Sequence, residues 1–507
     1  MSETLTAPEK AVNNDIIAEL KPQKANPKSG KLFINGEFVD ALSGKTFQTL
    51  NPATGEVIAE IAEAQKEDVD LAVKAARTAF EDGSPWRKMS PKDRSRALYK
   101  LAELIRANAD ELAELETLDT GKPISESARF DIPLSAECFE YYAGWPTKIT
   151  GDVITPSSGG EALVYTLREP IGVCGQIIPW NFPLQMLAWK VAPALACGNT
   201  VVVKPAEQTP LTALRFAELT LEAGIPAGVV NIVTGFGPTT GAALVEHPDV
   251  DKIAFTGSVE VGKQIQAMAS KTLKRVSLEL GGKSPSLIFA DSDIDTAAKY
   301  ALGGIFFNQG EMCTACSRIF VEAAAYDEFI SVVNSRAAKM VAGDPLNPKT
   351  RLGALISQQH LDRVLSYVDI AKNEGANVTV GGERIGTRGY FMKPTVLEGV
   401  TNSMRVAQEE IFGPVASIIR FENAEEAMRE ANNSQFGLAA SIWTKDIKKA
   451  HNLARRVKAG TVWINTISTT DNAVPFGGFK LSGHGRELGK AAIDLYTESK
   501  SVWVDLN

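Results

Sequence analysis

The chain has 507 residues, enough for roughly two or three packed domains and too many for a single small binding module. Hydrophobic residues make up 44% of it and charged residues 22%, which is ordinary globular usage and excludes disordered, collagen-like and coiled-coil chains. Its 53 Lys and Arg residues against 61 Asp and Glu give a formal charge of −8, without the basic excess of a phosphate-backbone binder. We therefore expect no nucleic-acid partner.

Cysteines and histidines are few and scattered along the chain. Five cysteines, an odd number, argue against a disulfide framework and suit a reducing compartment, so we expect a cytoplasmic protein. The four histidines show no ligand spacing, so no metal site is predicted. No run approaches the ~20 apolar residues of a membrane span. Residues 1–30 lack the apolar core of a signal peptide and are predicted to form a flexible tail.

The first predicted elements are a hairpin and two helices. Asn35 and Gly36 separate two short apolar runs, which is the strongest short signal for a β-hairpin. Apolar residues then recur at spacings of three and four, which predicts two helices that each bury one face. The two apolar stripes are Val69, Val73, Ala76 and Phe80, and Leu98, Leu101 and Ile105.

From about residue 171, short β-branched runs alternate with amphipathic segments such as 212–221 and 259–268. This rhythm predicts a parallel α/β architecture, in which ligands bind at the carboxyl ends of the strands. A second alternation runs from about residue 284 to residue 482. Strands are predicted at 173–178, 200–203, 229–233, 252–255, 275–278 and 285–289.

Two further strand patterns lie outside this rhythm, at residues 162–168 and 501–506. The first belongs to a Gly-, Ser- and Pro-rich segment, residues 149–170. Neither strand has an obvious partner nearby in sequence, so we expect both to pair across the subunits of a homo-oligomer. The alternative is that they pair with each other or cover an edge within one chain.

Cys313 is the first residue whose surroundings indicate chemistry. Small and polar neighbours suit a partly exposed thiolate nucleophile, but composition also allows a buried packing cysteine or a dithiol pair with Cys316. Glu279 offers a second group, a carboxylate at a strand end among apolar neighbours and before two glycines. Such surroundings raise the pKa of a carboxyl group and favour a general base.

Seven motifs around these residues resemble signatures of the aldehyde dehydrogenase superfamily. Residues 278–283 read Leu-Glu-Leu-Gly-Gly-Lys, as in its glutamate signature, and residues 310–313 read Gly-Glu-Met-Cys, as in its cysteine signature. The resemblance runs in order from about residue 31 to the C-terminus. The other matching motifs are Pro-Trp-Asn-Phe-Pro at 179–183, Val-Lys-Pro-Ala-Glu at 203–207, Phe-Thr-Gly-Ser at 255–258, Glu-Ile-Phe-Gly-Pro at 410–414 and Pro-Phe-Gly-Gly-Phe-Lys at 475–480.

The resemblance implies an α/β fold of three parts. A Rossmann-like parallel-sheet domain that binds NAD would comprise residues 31–148 and 171–281. An α/β catalytic domain would comprise residues 282–481. A small β arm for oligomerisation, residues 149–170 and 482–507, would build a homodimer or homotetramer. The implied substrate is a small-molecule aldehyde, and no metal is implied.

The resemblance also implies covalent catalysis. Cys313 would attack the aldehyde carbonyl to give a thiohemiacetal, whose oxyanion the Asn181 amide and the Cys313 backbone N–H would hold. After hydride transfer to nicotinamide, Glu279 would activate the water that hydrolyses the thioester.

The cofactor NAD would lie along the strand ends of the first domain. Glu207 would accept hydrogen bonds from a ribose diol and repel a 2′-phosphate, which favours NAD over NADP. The helix that begins after Gly257 and Ser258 would receive the pyrophosphate at its N-terminus, and Glu410 would hold the nicotinamide ribose. The full implied set is Ile177, Ile178, Pro179, Trp180, Lys204, Glu207, Gly237, Phe255, Gly257, Ser258, Leu280, Glu410 and Phe412.

Six residues fall where the family lines its aldehyde channel: Phe182, Met186, Trp189, Phe307, Thr470 and Phe476. Because most are apolar, aliphatic or aromatic aldehydes are expected to be favoured. Many relatives carry aromatic residues where this chain has Ile467 and Thr470, so a compact aromatic box for quaternary ammonium substrates is not expected.

Several alternatives stay open. A CoA-acylating dehydrogenase is one, although members of that type commonly lack the base that Glu279 supplies. A betaine-aldehyde or semialdehyde dehydrogenase would take a charged substrate instead. A thiol–disulfide protein built on Cys313 and Cys316, or a non-catalytic structural relative, belongs to another class, and the complete catalytic set argues against the structural relative.

Overall fold

The structure is a computed structural model that describes residues 30–157 and 161–507. All of the predicted N-terminal tail except Gly30 lies outside the described residues. Within these ranges the fold is α/β, with an eight-stranded, a seven-stranded and a three-stranded sheet and a two-stranded ribbon. Among the same residues, no helix combines the length and the apolar character needed to cross a membrane.

The predicted hairpin is confirmed at the start of the described chain. Strands β1 (Leu32–Ile34) and β2 (Glu37–Val39) pair antiparallel, and the intervening Asn35 and Gly36 have φ angles of 53° and 82°. Two consecutive left-handed residues make the tight turn that an Asn-Gly pair favours. The next two strands form the separate antiparallel ribbon: β3 (Thr46–Leu50) and β4 (Val57–Ala62).

Both predicted amphipathic helices are confirmed, as helices Lys66–Phe80 and Pro91–Ala107. Of the residues in the two predicted stripes, only Phe80 is partly exposed, and the others are buried against the sheet and neighbouring helices. The remaining helical segments before the arm are Pro85–Lys88, Ala109–Thr120, Ile124–Glu126, the π-helical turn Ser127–Asp131 and Ile132–Ala143.

The two strands predicted to pair across subunits pair with each other instead, so that prediction is wrong for their main-chain partners. Strand β5 (Val153–Ile154) and the long strand β6 (Ala162–Pro170) form one hairpin. The C-terminal strand β20 (Thr497–Asp505) aligns antiparallel with the whole of β6, from Thr497 opposite Pro170 to Asp505 opposite Ala162. The alternative expectation, that the two strands pair with each other within one chain, is confirmed.

The first α/β alternation forms the core of the eight-stranded sheet. Its five parallel strands are joined on one side by the N-terminal hairpin through β1 and on the other by the short strand β19 (Gly483–His484). The observed order is β19-β11-β10-β7-β8-β9-β1-β2, the doubly wound arrangement of a Rossmann-like sheet. The five parallel strands are β7 (Val173–Ile177), β8 (Thr200–Lys204), β9 (Val230–Ile232), β10 (Lys252–Thr256) and β11 (Arg275–Glu279).

Side chains of this sheet alternate between two hydrophobic layers. Val201 and Val203 pack in the layer that contains helix Pro183–Ala196, whereas Val202 packs in the layer that contains helix Lys66–Phe80. A strand covered on both faces reads as a continuous apolar run, which explains the sequence of β8. The other helical segments around this sheet are Leu211–Glu222, the π-helical turn Gly237–Gly241, Ala242–Glu246, Val259–Ala269 and the 3₁₀ turn Ser270–Thr272.

The second alternation forms the seven-stranded sheet, in the order β14-β15-β16-β13-β12-β17-β18. All of its neighbouring strands are parallel except the edge pair β14 and β15. Its strands are β12 (Pro285–Ile288), β13 (Arg318–Glu322), β14 (Asn377–Val380), β15 (Thr395–Glu398), β16 (Val415–Phe421), β17 (Ala439–Trp443) and β18 (Thr461–Ile464).

Helices connect most of these strands. The α-helices are Ile294–Phe306, Tyr326–Ala337, Gln358–Asn373, Arg405–Gln408, Ala424–Asn432, Ile447–Arg456 and Ala491–Leu495, and the 3₁₀ turns are Phe307–Gly310, Ala323–Ala325 and Lys480–Ser482.

Only the segment 280–284 separates β11 of the first sheet from β12 of the second. Glu279 ends β11, and Cys313 lies between helix Ile294–Phe306 and strand β13. The junction of the two sheets therefore brings the predicted base and the predicted nucleophile to one place.

Candidate active site

One cavity of about 840 Å³ lies at this junction. It collects most of the residues singled out from the sequence, including all three predicted catalytic residues, Cys313, Glu279 and Asn181. The other predicted residues that line it are Pro179, Trp180, Phe182, Met186, Trp189, Gly257, Ser258, Leu280, Phe307, Glu410, Phe412, Thr470 and Phe476.

Six predicted cofactor residues do not line this cavity: Ile177, Ile178, Lys204, Glu207, Gly237 and Phe255. Ile177 and Lys204 are paired across β7 and β8, and both come within 3.9 Å of the position that a Cβ on Gly241 would take. Lys204 Nζ donates to the Glu207 carboxylate over 3.1 Å. Ile177, Lys204 and Glu207 therefore lie together at the carboxyl ends of β7 and β8.

Cys313 is half-buried, whereas the other four cysteines are fully buried. Burial, followed by the negative charges of Glu410 and Glu279, raises the pKa of the Cys313 thiol to about 12, against the opposing effect of the Thr314 and Cys313 backbone N–H groups. Cys316 packs instead among Ala439, Trp463 and Ile467. Of the two cysteines in this motif, Cys313 alone is placed to meet a ligand in the cavity.

Asn181 is fixed by hydrogen bonds on its backbone and its side chain. Its Nδ2 donates to the backbone oxygen of Glu311 over 2.8 Å. Its backbone oxygen accepts from Lys122 Nζ and from Asn308 Nδ2, each over 2.8 Å. An Nδ2 group carries two hydrogens, so one remains to donate to a ligand oxygen.

Lys122 is the centre of a buried charged network that holds Asn181. Its Nζ lies 2.5 Å from Asp131 Oδ2, 4.0 Å from Glu116 Oε1 and 4.3 Å from the centre of the Phe182 ring. Burial first, and then the charge of Asp131, raises the pKa of Glu116 to about 8. Removing one member of such a network leaves an uncompensated buried charge, which is strongly destabilising.

Glu279 is fully buried, and neither of its carboxylate oxygens has a hydrogen-bond partner among the described residues. Burial is the main cause of a pKa well above the usual range of glutamate, and the nearby Glu487 raises it further. The position of a Cβ on Gly477 lies 2.8 Å from Glu279 Oε1, so glycine leaves room for the carboxylate there. A carboxylate in these surroundings is a strengthened base.

A second buried lysine, Lys190 of helix Pro183–Ala196, lies near Glu279. Its Nζ donates to the Glu487 carboxylate and, over 2.6 Å, to Thr256 Oγ1. The charge of Lys190 lowers the pKa of Glu279 and so opposes the effect of burial. The sequence analysis missed this residue, although a single charge within the otherwise uncharged helix Pro183–Ala196 is a signal that could have found it.

Glu410 lies over the glycines that link the two sheets. The Gly282 N–H donates to Glu410 Oε1 over 2.9 Å, and a Cβ on Gly281 would overlap the carboxylate. Burial raises the pKa of Glu410 to about 7, while the Gly282 N–H and the charge of Lys283 oppose the rise. This carboxylate can accept hydrogen bonds from a diol in the cavity.

Three aromatic rings, those of Trp180, His360 and Phe412, line the cavity beside Glu410. The rings of Trp180 and Phe412 meet edge to face with centroids 5.3 Å apart, and Trp180 also meets the His360 ring at 5.4 Å. His360 Nε2 donates to the Phe412 backbone oxygen over 2.6 Å, and burial lowers the pKa of His360 to about 4, so the ring is neutral at neutral pH. His360 and Arg363 line the cavity but were missed, because no local motif marks them.

The other end of the cavity is mainly aromatic, and the charged side chain of Lys299 also belongs to the cavity lining. Phe182 and Phe307 stack with centroids 6.3 Å apart, and Phe130 meets Phe307 edge to face at 5.5 Å. Trp189 and Phe476 form another edge-to-face pair at 5.0 Å. Among the residues that the structure describes, no group of His, Cys, Asp and Glu side chains could hold a metal ion.

We predict that Glu410 suppresses the reactivity of Cys313 above neutral pH. At pH 8 Glu410 is ionised and raises the thiol pKa, so Glu410→Gln should speed alkylation of Cys313 by iodoacetamide. The gain should be about threefold for each pKa unit recovered, because the thiolate becomes more abundant but less nucleophilic. Below pH 6, where Glu410 is protonated, the two rates should converge. Mass spectrometry of the alkylated chain measures both rates, and Cys313→Ala controls for the buried cysteines. Equal alkylation rates for the wild type and Glu410→Gln at pH 8 would contradict the proposed effect of Glu410 on the Cys313 thiol.

Comparison with known proteins identifies the family to which this geometry belongs. The model of the aldehyde dehydrogenase family matches residues 38–502. The chain is 53% identical over 476 residues to the putative aldehyde dehydrogenase DhaS of Bacillus subtilis, covering 94% of this chain and 96% of that protein. It is 52% identical over 478 residues to aldehyde dehydrogenase 1A1 of Homo sapiens, covering 94% and 95%. The solved NAD⁺ complex of aldehyde dehydrogenase from Bacillus cereus is 51% identical, with a TM-score of 0.94 over 96% of this chain and 99% of that one. The chain therefore belongs to the aldehyde dehydrogenase family.

Proposed function

We propose that the protein oxidises apolar aliphatic or aromatic aldehydes to carboxylic acids through a thiohemiacetal and a thioester on Cys313. Membership of the family supports the general activity, that of an NAD-dependent aldehyde dehydrogenase. One observation supports the proposed covalent mechanism: the half-buried Cys313, the basic carboxylate of Glu279 and the remaining Nδ2 hydrogen of Asn181 share one cavity.

NAD is the cofactor of this enzyme, as in the Bacillus cereus complex. The residues of this chain fit it, because the Glu410 carboxylate lines the cavity and can accept hydrogen bonds from a ribose diol. Glu410 would hold the nicotinamide ribose, and Glu207, at the carboxyl end of β8, would hold the adenosine ribose. When bound, NAD supplies the acceptor for the hydride that leaves the substrate carbon.

In the first step the Cys313 thiolate attacks the aldehyde carbon, and a C–S bond forms while the C=O π pair moves to oxygen. The negative oxygen would accept hydrogen bonds from the remaining Asn181 Nδ2–H and from the Cys313 backbone N–H. The Lys122 network fixes the backbone of Asn181, so the donor is in place before the charge develops. The Cys313 proton must leave first, and Glu279 is a strengthened base in the same cavity.

In the second step water attacks the thioester after hydride has left. Glu279 would first release to solvent the proton that it took from Cys313 and would then take a proton from the attacking water. The C–S bond would break, and Cys313 would leave as the thiolate. Burial of Glu279 supports this role, because a carboxylate with a raised pKa is a better proton acceptor. A CoA-acylating enzyme would need no such base, so Glu279 favours hydrolysis.

The proposed preference for apolar aldehydes rests on five aromatic side chains of the cavity lining: Phe130, Phe182, Trp189, Phe307 and Phe476. Ile467 and Thr470 line the same cavity where a box for a quaternary ammonium group would need aromatic rings.

The chain is also proposed to act as a homodimer or homotetramer through the three-stranded sheet formed by β5, β6 and β20. Apolar residues of this sheet are exposed in the single chain, among them Val153 at 79% and Trp503 at 62%. Exposed apolar strands at a sheet edge are typical of interfaces between subunits.

The chain is further proposed to divide into an NAD-binding domain, a catalytic domain and this arm. One strand of the C-terminal segment, β19, joins the eight-stranded sheet and not the arm.

The proposal predicts a specific order of substrates. Hexanal and benzaldehyde should be oxidised with higher kcat/KM than betaine aldehyde or succinic semialdehyde, because the lining offers apolar contacts and no aromatic cage. NADH formation, measured with and without CoA, tests the order and the acyl acceptor. In Cys313→Ala the rate should fall by at least about 10³-fold. Highest efficiency with a charged aldehyde, or a strict need for CoA, would contradict the proposal.

Cofactor preference gives a second prediction. The wild-type enzyme should prefer NAD to NADP by kcat/KM, because the Glu207 carboxylate repels a 2′-phosphate. Glu207→Gln removes that charge, keeps the shape of the side chain and should narrow the preference by at least about tenfold. Steady-state kinetics with both cofactors measures the ratio. A wild-type enzyme that already prefers NADP would refute the role of Glu207.

A further inference from the structure

Helix Ile294–Phe306 presents one face to the aldehyde end of the cavity. Lys299, Tyr300, Gly303 and Gly304 of this helix line the cavity, and Phe307 continues the same row directly after it. Their spacing, at positions i, i+1, i+4, i+5 and i+8, is that of a single helical face. Two neighbouring glycines therefore lie in the last turns of a helix that forms a wall of the substrate site.

The two glycines differ in their surroundings. A Cβ on Gly304 would lie 2.8 Å from Ile467 Cδ1, so Gly304 is needed for the helix to pack against the loop that carries Ile467. A Cβ on Gly303 would have no heavy atom within 4 Å. Packing thus explains Gly304 and leaves Gly303 unexplained. Glycine destabilises a helix interior relative to alanine, so its presence at Gly303 needs another reason.

Space in the cavity supplies that reason. Gly303 is exposed, the volume that its side chain would occupy is open, and Phe307, four positions later in sequence, lines the same cavity. Phe130, whose ring meets Phe307 edge to face, is 47% exposed at this end. An apolar group resting on the bare backbone at Gly303 would cover exposed aromatic surface without meeting a side chain from the helix.

We propose that Gly303 is a specificity-determining residue, whose missing side chain admits aldehydes with a bulky aromatic or branched group. The aldehyde carbon of such a substrate lies at Cys313, and its bulky group lies over the helix backbone at Gly303. This inference rests on the proposed function and sharpens its substrate class from apolar aldehydes in general to bulky ones. Gly304 lines the same wall but acts through packing.

The test compares Gly303→Ala and Gly303→Leu with the wild-type enzyme. The measured quantity is the ratio of kcat/KM for 2-naphthaldehyde to kcat/KM for propanal. The leucine variant should lower this ratio by at least about tenfold, mainly through a higher KM, and the alanine variant should lower it less. Alanine favours the helix, so Gly303→Ala keeps the test available if the larger side chain prevents folding. In contrast, Gly304→Ala should lower the thermal midpoint, because Ile467 must move.

A structural role alone would lower the efficiency for both aldehydes together, so an unchanged ratio in the folded variants would overturn the inference. A binding measurement separates this outcome from failure of the proposed function. In the Cys313→Ala background, 2-naphthaldehyde should quench tryptophan fluorescence with an apparent Kd at least about tenfold higher when Gly303→Leu is added. Equal Kd values would overturn the role of Gly303 whatever the activity, whereas a wild-type enzyme that oxidises no aldehyde would refute the proposed function.

Discussion

The close approach of backbone at Gly281 and Gly282 is the constraint on which the site depends. A Cβ on Gly282 would overlap the backbone oxygen of Cys313, and a Cβ on Gly281 would overlap the Glu410 carboxylate. These glycines join the last strand of the first sheet to the first strand of the second. Because they carry no side chains, the nucleophile and the cofactor-side carboxylate meet within a few residues of Glu279.

The site buries two carboxylates, and neither forms an ion pair with any residue that the structure describes. Glu279 and Glu410 both lose water, and both have raised pKa values as a result. Two buried lysines offset part of this cost: the charge of Lys190 lowers the pKa of Glu279, and the charge of Lys283 lowers the pKa of Glu410. A low-dielectric site with fixed donors is suited to stabilise charge that appears only during reaction. The same burial suppresses the thiolate of Cys313 until a base removes its proton.

Local sequence patterns predicted those parts of the molecule that depend on near neighbours. The Asn35-Gly36 turn, the apolar helix faces and the β-branched strands follow from spacing within a few residues, and the structure has each of them. Pairing of the arm strands across subunits was the favoured prediction and was wrong, whereas the alternative, pairing with each other, is confirmed; local patterns could not decide between them, because β6 and β20 lie far apart in sequence. The pairing of Lys190 with Glu487 was missed for a similar reason, since the two residues are 297 positions apart. Pairing at that range leaves no periodic signal in a single sequence.

The central claim is that Glu279 acts as the base that hydrolyses the thioester. Stopped-flow measurement of NADH formation by Glu279→Gln tests it most directly, because hydride transfer precedes hydrolysis. The account predicts a burst of NADH close to the enzyme concentration, which forms more slowly than in the wild type because Glu279 no longer takes the Cys313 proton. The steady-state rate that follows should be at least about 10²-fold below that of the wild type, because hydrolysis is slowed further. A steady-state rate equal to that of the wild-type enzyme would contradict it.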